Sequence, residues 1–281
     1  MNKEQLLEKI TACTANNGVW GVVVENVATK QRVALNENVV FNAASIIKLP
    51  IMAAAYAEVY NNKIQLDERV LIRQSDLAMG SGVIQFLNPG ATFTIYDLIV
   101  LMIVTSDNTA TNLLINMIGL DRINEIMQVL GMKNSKLEHR LGLLYTGQQL
   151  RNVITANDVA SMLAMLAEGK FLHSYACQQM ISIMQKQLYR DGLPRYFQGR
   201  SKQLATELPD WEFANKTGWI AGIQHDAGIL QTTHVGVHTI TVLANYESTQ
   251  AVALEQIAEI GKYAFAYIES NENARERGET P

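Results

Sequence analysis

Apolar and polar positions follow helical spacing at the start of the chain and strand spacing soon after it. Leu6 and Ile10 recur about one turn apart, which predicts an amphipathic helix over residues 3–14. β-branched and apolar residues dominate two short runs, 20–25 and 32–35, and a polar connection separates them. These two runs predict a β-hairpin after the first helix.

Helical spacing dominates the central half of the chain. The run over 51–57 carries no charge, which predicts a helix buried on all sides, and Pro50 predicts a kink or a tight opening turn. Thr94 and Thr155 each begin a capping-box sequence ahead of an apolar helix. A further helix is predicted over 109–118.

Strand spacing returns in the last third of the chain. Short apolar runs at 213–217, 227–232 and 237–244 predict three strands, and apolar positions over 250–268 predict a closing helix. Residues 271–281 are charged and polar, and we expect them to be frayed. One sheet interrupted by a helical insertion is an α+β arrangement, with a binding site expected between its two parts.

Composition restricts the class of protein. The 281 residues are 48% hydrophobic and 18% charged, which is typical of a globular protein. The net charge of −4 argues against nucleic acid or an anionic membrane as the main partner. No apolar run reaches the roughly 18 residues of a membrane helix. The first residues lack the layout of a secretory signal, which predicts a cytoplasmic protein unless a leader was removed.

Cysteine and histidine patterns give no sign of a metal site. Cys13 and Cys177 are the only cysteines, and they are expected to be buried free thiols rather than a disulfide. The five histidines show no ligand spacing. There is no phosphate-binding glycine loop and no G-x-S-x-G elbow. Neither a metal nor another cofactor is therefore expected.

A serine and a lysine stand together where the buried central helix begins. Ser45 and Lys48 are three residues apart and so share a helix face. A hydroxyl beside an amine is a nucleophile beside a possible base, although a lone S-x-x-K is more often trivial than catalytic. Two further polar triplets follow, each occurring once in the chain: Ser106-Asp107-Asn108 and Lys216-Thr217-Gly218.

Together and in this order, the three motifs resemble the signature of class A β-lactamases and penicillin-binding proteins. The resemblance extends over nearly the whole chain. It implies a mostly antiparallel five-stranded sheet flanked by helices, with an inserted all-α lobe. The whole chain, 1–281, would then be one β-lactamase-like domain, in which 1–44 and 205–281 form an α/β lobe and 45–204 the all-α lobe.

The resemblance implies covalent catalysis centred on Ser45, whose hydroxyl needs a proton acceptor to attack. Lys48 is the acceptor nearest in sequence. Its position near a helix end and near Lys216 predicts a lowered pKa. Which group is the acylation base is disputed for the family itself. Ser106 matches the residue that relays the proton to the leaving nitrogen, and Asp107 is expected to tie its loop together.

The resemblance also implies how substrate is held. Asn108 matches a side-chain donor to the substrate amide, while Lys216 and Thr217 suit a substrate carboxylate. The backbone N–H groups of Ser45 and Trp219 match the family's oxyanion hole. A carboxylate beside a scissile amide describes both β-lactams and peptides ending in D-alanyl-D-alanine.

A partly altered motif bears on how an acyl-enzyme would be released. The class A loop R-x-E-x-x-L-N carries a glutamate that activates water. Here Glu138 and Leu141 match, whereas Lys136 and Gly142 replace the arginine and asparagine, and Asn152 stands where an aspartate usually pairs with the arginine. Glu138 is therefore the expected deacylation base, with general-base help of about 10²–10⁴-fold. The alternative is an ordinary exposed acid.

The leading hypothesis is a class A β-lactamase that is slower than a dedicated antibiotic-resistance enzyme. A D-alanyl-D-alanine carboxypeptidase or related penicillin-binding enzyme is the alternative that the altered glutamate loop favours. A non-catalytic penicilloyl sensor and an intracellular amidase or esterase also stay open. The substrate spectrum is expected to depend on residues 79–86 and on Trp219 and Ile220. Sequence leaves the oligomeric state open.

Overall fold

The computed structural model describes residues 1–142, 152–199, 210–232 and 236–276. The helices are α1 Lys3–Thr14, α2 Lys48–Tyr60, α3 Ile95–Val104, α4 Asn108–Ile118, α5 Leu120–Val129, α6 Ala156–Ala167, α7 Ser174–Met184 and α8 Gln250–Glu276. The strands are β1 Val19–Asn26, β2 Arg32–Leu35, β3 Val40–Asn42, β4 Arg69–Leu71, β5 Thr92–Thr94, β6 Val153–Thr155, β7 Trp211–Ile220, β8 Ile223–Thr232 and β9 Gly236–Asn245.

Five strands form one antiparallel sheet in the order β2-β1-β9-β8-β7. The predicted hairpin is present as β1 and β2, with Val22 opposite Leu35. The three late strands pair in sequence order, and β7 lies at an edge of the sheet. The fold class inferred from the sequence is thus confirmed. The expected boundary between lobes at residue 204 lies outside the described residues.

The sheet separates two hydrophobic cores. Val23 and Leu243 on one face pack with the helices of the insertion. Val22 and Val242 on the other face pack with α1 and α8. Because side chains alternate along a strand, neighbouring residues of β1 serve different cores. Each fully buried side chain of this size contributes about 1.5–3 kcal/mol, so the two cores fix the sheet between its helical layers.

The buried central helix matches its prediction except at its start. Residues 49–57 of α2 are buried on all sides. Ser45, however, belongs to a 3₁₀ turn, Ala44–Ile47, and the α-helix begins at Lys48. Pro50 lies in the first turn of α2, where its missing N–H has no helical partner to lose. The proline therefore gives the tight opening turn rather than a kink.

The starts of α3 and α6 agree with the capping sequences predicted for them. Thr94 Oγ1 accepts the Asp97 N–H at 3.0 Å, and the Asp97 carboxylate accepts the Thr94 N–H at 2.9 Å. Thr155 likewise caps α6, accepting the Asp158 N–H at 3.1 Å. The Asp158 carboxylate instead accepts from Ser135 Oγ, at 2.7 Å. One capping box is complete and the second is half formed.

The helical region also contains two small sheets that apolar spacing did not predict. Strands β3 and β6 pair, as do β4 and β5, each over three residues. Such strands are too short to display a period of two. The prediction for 271–281 was wrong in part, since α8 continues to Glu276 through its own backbone hydrogen bonds.

Two further expectations concern thiols and membranes. Cys177 is a buried free thiol as predicted, whereas Cys13 is free but only half-buried. No helix in the described ranges combines the length and apolar character needed to cross a bilayer. Across the same residues, no group of three His, Cys, Asp or Glu is placed to hold a metal ion.

Candidate active site

Ser45 lies on the 3₁₀ turn that leads into α2, and Lys48 follows on the same face. Lys48 Nζ is 3.1 Å from Ser45 Oγ, as the spacing predicted. Ser45 is half-buried, while the Lys48 side chain is fully buried. Ala44, just before Ser45, has φ of 41°, a left-handed conformation that costs a residue with a Cβ about 1–2 kcal/mol. The turn therefore depends on its surroundings to keep this geometry.

Lys48 Nζ meets more oxygen atoms than an ammonium has protons. Besides Ser45 Oγ it contacts the Ser106 carbonyl oxygen at 2.6 Å, Ser106 Oγ at 3.0 Å and Asn108 Oδ1 at 2.9 Å. Burial lowers the pKa of Lys48 well below its usual range, and nearby Lys216 lowers it further. The sequence predicted the influence of Lys216 but not the larger effect of burial. As a neutral amine, Lys48 can donate to the two carbonyl oxygens and turn its lone pair toward a hydroxyl.

Asp107 ties the second motif to its surroundings, as expected. Its Oδ2 accepts the N–H groups of Val83 at 2.7 Å and Ile84 at 2.8 Å, and its Oδ1 accepts that of Ala110 at 3.0 Å. The last contact caps the N-terminus of α4. Ser106 beside it has φ of 58°, so three hydrogen bonds to Asp107 hold a strained loop next to Lys48.

The third motif lies on β7, at the edge of the sheet, and faces the other two. Lys216 is fully buried, and its Nζ donates to Ser106 Oγ at 3.1 Å and to the Thr217 carbonyl oxygen at 2.7 Å. Burial lowers the pKa of Lys216 to about 7, against an opposing effect of Asp226. Ser106 Oγ is thus placed between Lys48 and Lys216. The structure brings all three motifs to one place.

Gly218 allows β7 to pass directly against the Ser45 turn. A Cβ atom at residue 218 would lie 2.9 Å from the Ser45 backbone N and 3.1 Å from that of Ile46. Only glycine permits this approach. Trp219 comes next on the strand and is 52% exposed, and Ile220 after it is 42% exposed. The two apolar side chains expected to narrow the cleft therefore lie open at the edge of the sheet.

Glu138 lies on a loop that amide hydrogen bonds hold in place. Its carboxylate forms an ion pair with Lys136 at 2.9 Å, and within the described residues no ion pair joins it to Lys48. Asn152 Oδ1 accepts the N–H groups of Glu138 at 2.8 Å and His139 at 3.1 Å. The side chain that the sequence marked as a lost ion-pair partner instead fastens the loop as a neutral amide.

Gly142, the other departure in this loop, has a local structural reason. It has φ of 77°, and a Cβ there would lie 2.7 Å from the Met79 carbonyl oxygen. That same oxygen accepts from Asn108 Nδ2 at 2.9 Å. The glutamate loop and the loop around Met79 therefore meet beside Asn108.

Two polar residues of the site carried no signal in the sequence. Ser81 Oγ donates to the Ser106 carbonyl oxygen at 2.7 Å, which strengthens the support of that loop. Asp226 is buried on β8 and accepts from Asn215 Nδ2 and from the Leu193 N–H, both at 2.9 Å. Burial raises the pKa of Asp226 to about 6. A Gly-Ser-Gly turn and a lone aspartate in a strand are too common to indicate such roles.

Solved structures share this fold over nearly its whole length. A β-lactamase from Sphaerobacter thermophilus is 28% identical, with a TM-score of 0.88 over 96% of this chain and 99% of that one. A mutant of PBP-A, in an acyl-enzyme complex with penicillin G, is 24% identical with a TM-score of 0.79. The superposition with PBP-A covers 95% of this chain and 96% of the other.

Sequence comparison agrees with the structural one. β-Lactamase L2 of Stenotrophomonas maltophilia is 25% identical over 259 residues, which cover 89% of this chain and 81% of the relative. The model of the β-lactamase enzyme family matches residues 3–268. The resemblance carried by the three motifs is therefore confirmed, and the chain belongs to the β-lactamase enzyme family.

Proposed function

We propose that the protein is a serine hydrolase of the class A β-lactamase type, which opens β-lactam amides through an acyl-enzyme on Ser45. One observation carries the proposal: the buried Lys48 amine lies 3.1 Å from the Ser45 hydroxyl and 3.0 Å from that of Ser106. A neutral amine between two hydroxyls is placed to accept a proton from one and return it through the other.

In the proposed acylation, Ser45 Oγ attacks the lactam carbonyl carbon while its proton passes to Lys48. The carbonyl C–N bond then breaks as Ser106 gives its proton to the leaving nitrogen and takes the proton that Lys48 accepted, so that Lys48 is again neutral. The N–H groups of Ser45 and Trp219 would hold the developing oxyanion, and each such donor typically contributes about 2.7–4 kcal/mol. The close approach of Gly218 to the Ser45 turn supports this pairing.

The proposed substrate contacts use polar groups that border the cluster. Lys216 and the Thr217 hydroxyl would bind the substrate carboxylate. Asn108 has an amide with two N–H donors, and its Nδ2 already donates to the Met79 carbonyl oxygen. One donor is then left for the substrate amide. The open side chain of Trp219 would border the same substrate.

Release of the acyl group is assigned to water activated by Glu138. The Glu138 carboxylate forms an ion pair with Lys136, and it must share or give up this contact to hold the water, which favours slow release. The same observation supports a second candidate, a penicillin-binding D-alanyl-D-alanine carboxypeptidase. PBP-A, whose fold this chain shares, has been captured as an acyl-enzyme with penicillin G.

A chromogenic cephalosporin and intact-mass spectrometry test the proposal together. We expect turnover that Ser45→Ala abolishes, and a penicilloyl adduct on the wild type that disappears within minutes. In Glu138→Gln the adduct should persist for hours, because water then lacks its base. An adduct that persists in the wild type, with release of D-alanine from a D-alanyl-D-alanine peptide, would favour the carboxypeptidase.

Two other outcomes would point away from both enzymes. A stable adduct without peptide turnover would favour a penicilloyl sensor. Failure both to form an adduct and to turn over the cephalosporin rejects the proposal, and hydrolysis of simple esters by that protein would then favour an amidase or esterase.

A further inference from the structure

A buried histidine stands behind the Ser45 turn. His225 lies on β8, directly opposite Gly218 in the register with β7, and none of its surface is exposed. Its Nε2 is 2.8 Å from the Asn42 carbonyl oxygen. Its Nδ1 is 3.1 Å from the Ala244 backbone N and 2.9 Å from the Gln224 carbonyl oxygen. The proposed mechanism gives this ring no role.

The partners of the ring fix which nitrogen carries the proton. Nε2 faces only a carbonyl oxygen, that of Asn42, whereas Nδ1 faces the Ala244 N–H as well as the Gln224 carbonyl oxygen. In a neutral ring, a proton on Nε2 gives both nitrogens a hydrogen bond, whereas a proton on Nδ1 would leave Nε2 facing an acceptor. Burial lowers the pKa of His225 to about 4, and the ring is therefore neutral at pH 7. Its Nδ1 is then free to accept the Ala244 N–H. The imidazole links the central strand β9 to Asn42 at the end of β3.

Asn42 carries this link forward to the turn itself. Its side-chain Oδ1 accepts the Ala44 N–H at 3.1 Å, next to the left-handed φ of Ala44. Ala43 is held separately, because its N–H donates to the Asn152 carbonyl oxygen at 2.7 Å. A residue in the left-handed region keeps that conformation only when its neighbours enforce it. Asn42 and Asn152 are the two neighbours that do so here.

His225 is thus connected to both elements that meet at Ser45, the turn and β7. It reaches the Ser45 turn through Asn42, and its own backbone pairs with that of Gly218, where a Cβ would lie 2.9 Å from the Ser45 N. We propose that His225 is a positioning residue that fixes the Ser45 turn against β7 and so aims the Ser45 N–H at the substrate carbonyl. The proposal rests on the proposed function, since it needs Ser45 to be the acylated residue.

Three variants distinguish the effect of the hydrogen bond from His225 to Asn42 from the effect of the ring's volume. His225→Leu removes the donor to Asn42, whereas His225→Gln keeps an N–H at the distance of Nε2. Asn42→Ala removes the side-chain acceptor of the Ala44 N–H from a half-buried position. For each, stopped-flow acylation by a chromogenic cephalosporin gives the acylation rate constant and the dissociation constant of the first complex. Infrared difference spectra give the carbonyl stretching frequency of the acyl-enzyme.

We expect His225→Leu and Asn42→Ala to acylate roughly 10- to 100-fold more slowly, because small displacements of a reacting group cost rates of this order. The dissociation constant should change less than threefold, about the scatter of such comparisons. The acyl carbonyl frequency should rise as its hydrogen bond weakens. His225→Gln should restore most of the rate and the frequency.

Other outcomes overturn the inference. Acylation by His225→Leu at the wild-type rate with an unchanged carbonyl frequency would do so, as would equal losses in the leucine and glutamine variants. If His225→Leu does not fold, Asn42→Ala decides, and an unchanged rate there rejects the positioning role. A wild type that neither forms an adduct nor turns over the cephalosporin rejects the proposed function itself, and this inference falls with it.

Discussion

Two lysine side chains are fully buried beside one serine hydroxyl, and this arrangement explains how they can differ in charge. Lys48 and Lys216 both contact Ser106 Oγ, at 3.0 and 3.1 Å. Burial disfavours either ammonium, and each charge disfavours the other. Asp226 opposes the loss of charge on Lys216. Lys48 is therefore the better base, and Lys216 the better partner for an anion.

The pKa of Lys216 predicts how substrate binding depends on pH. Because Lys216 is protonated below about pH 7 and neutral above it, we expect the KM for an anionic cephalosporin to rise as pH increases from 7 to 9. Steady-state kinetics over this range measure the effect. In Lys216→Arg the guanidinium keeps its charge, so its KM should stay flat with pH even if its absolute value changes. A parallel rise in both enzymes would contradict the prediction.

The close approach at Gly218 predicts the effect of a single methyl group. Gly218→Ala would place a Cβ 2.9 Å from the Ser45 backbone N, so the strand and the turn must separate. We expect acylation to slow by about 100-fold, with a loss of roughly 1–3 kcal/mol in the free energy of unfolding. Stopped-flow acylation and urea unfolding measure the two effects.

Gly222→Ala is the matched control for that methyl group. Gly222 lies in the turn between β7 and β8, with φ of 75° and no neighbouring atom closer than 4.0 Å. The substitution there should cost backbone stability and leave the acylation rate unchanged. An equal loss of rate in both variants would show that the approach to Ser45 is not the cause.

Elements with strong local signals were predictable, and those without them were not. The apolar run over 51–57 and the Thr94 capping box each specify their helix through nearby residues. The 3₁₀ turn at Ser45 and the pairing of β3 with β6 depend on residues more than a hundred positions apart. Such contacts leave no periodic trace in the sequence.

The stabilisation that a carboxylate gives at the start of a helix depends on how buried it is and on how many N–H groups it accepts. Asp107 is buried and accepts three backbone N–H groups, whereas Asp97 at the start of α3 is half-buried and accepts one. Loss of a buried acceptor leaves its donors unpaired, at about 1–3 kcal/mol each. We expect Asp107→Ala to lower the free energy of unfolding by roughly 3 kcal/mol or more and Asp97→Ala by about 1 kcal/mol.

Urea unfolding of both aspartate variants tests this comparison. Asp107→Ala should also slow acylation, because the strained Ser106 loop then loses its support, while Asp97→Ala should not. Equal destabilisation by the two substitutions would mean that the extra N–H contacts of Asp107 contribute nothing.

At the scale of the whole molecule, the sequence indicated the three motifs more readily than the residues that support them. The three motifs could be recognised because their residue types are rare in that order. The burial of Lys48 and Lys216 could not be predicted, because β7 and the start of α2 meet only in the folded chain. The hydrogen bond from the Glu138 N–H to Asn152 and that between His225 and the Asn42 carbonyl oxygen are likewise products of tertiary packing. A sequence motif names the chemistry, and the long-range contacts determine its geometry.

The buried amines predict how the stability of the whole fold depends on pH. Lys216 has an ordinary pKa of 10.5 when unfolded and about 7 when folded. Between these values the unfolded chain holds a proton that the folded chain has released, so the free energy of unfolding rises with pH in this window and not below it. The full effect is on the order of 5 kcal/mol.

Comparison with Lys216→Met isolates this effect from other titrating groups. We expect the variant to be more stable than the wild type at pH 7 and to lose that advantage by pH 10, because only the wild type has to neutralise Lys216, while Lys48 is buried in both. Urea unfolding at pH 7, 8.5 and 10 measures the difference. Lys133→Met, which removes an exposed lysine, should follow the wild type throughout. If the difference in free energy of unfolding between the wild type and Lys216→Met is instead the same at every pH, burial does not lower the pKa of Lys216. Lys216 would then no longer be the lysine that loses its proton in this window, and the roles of base and anion partner assigned to Lys48 and Lys216 must be reversed.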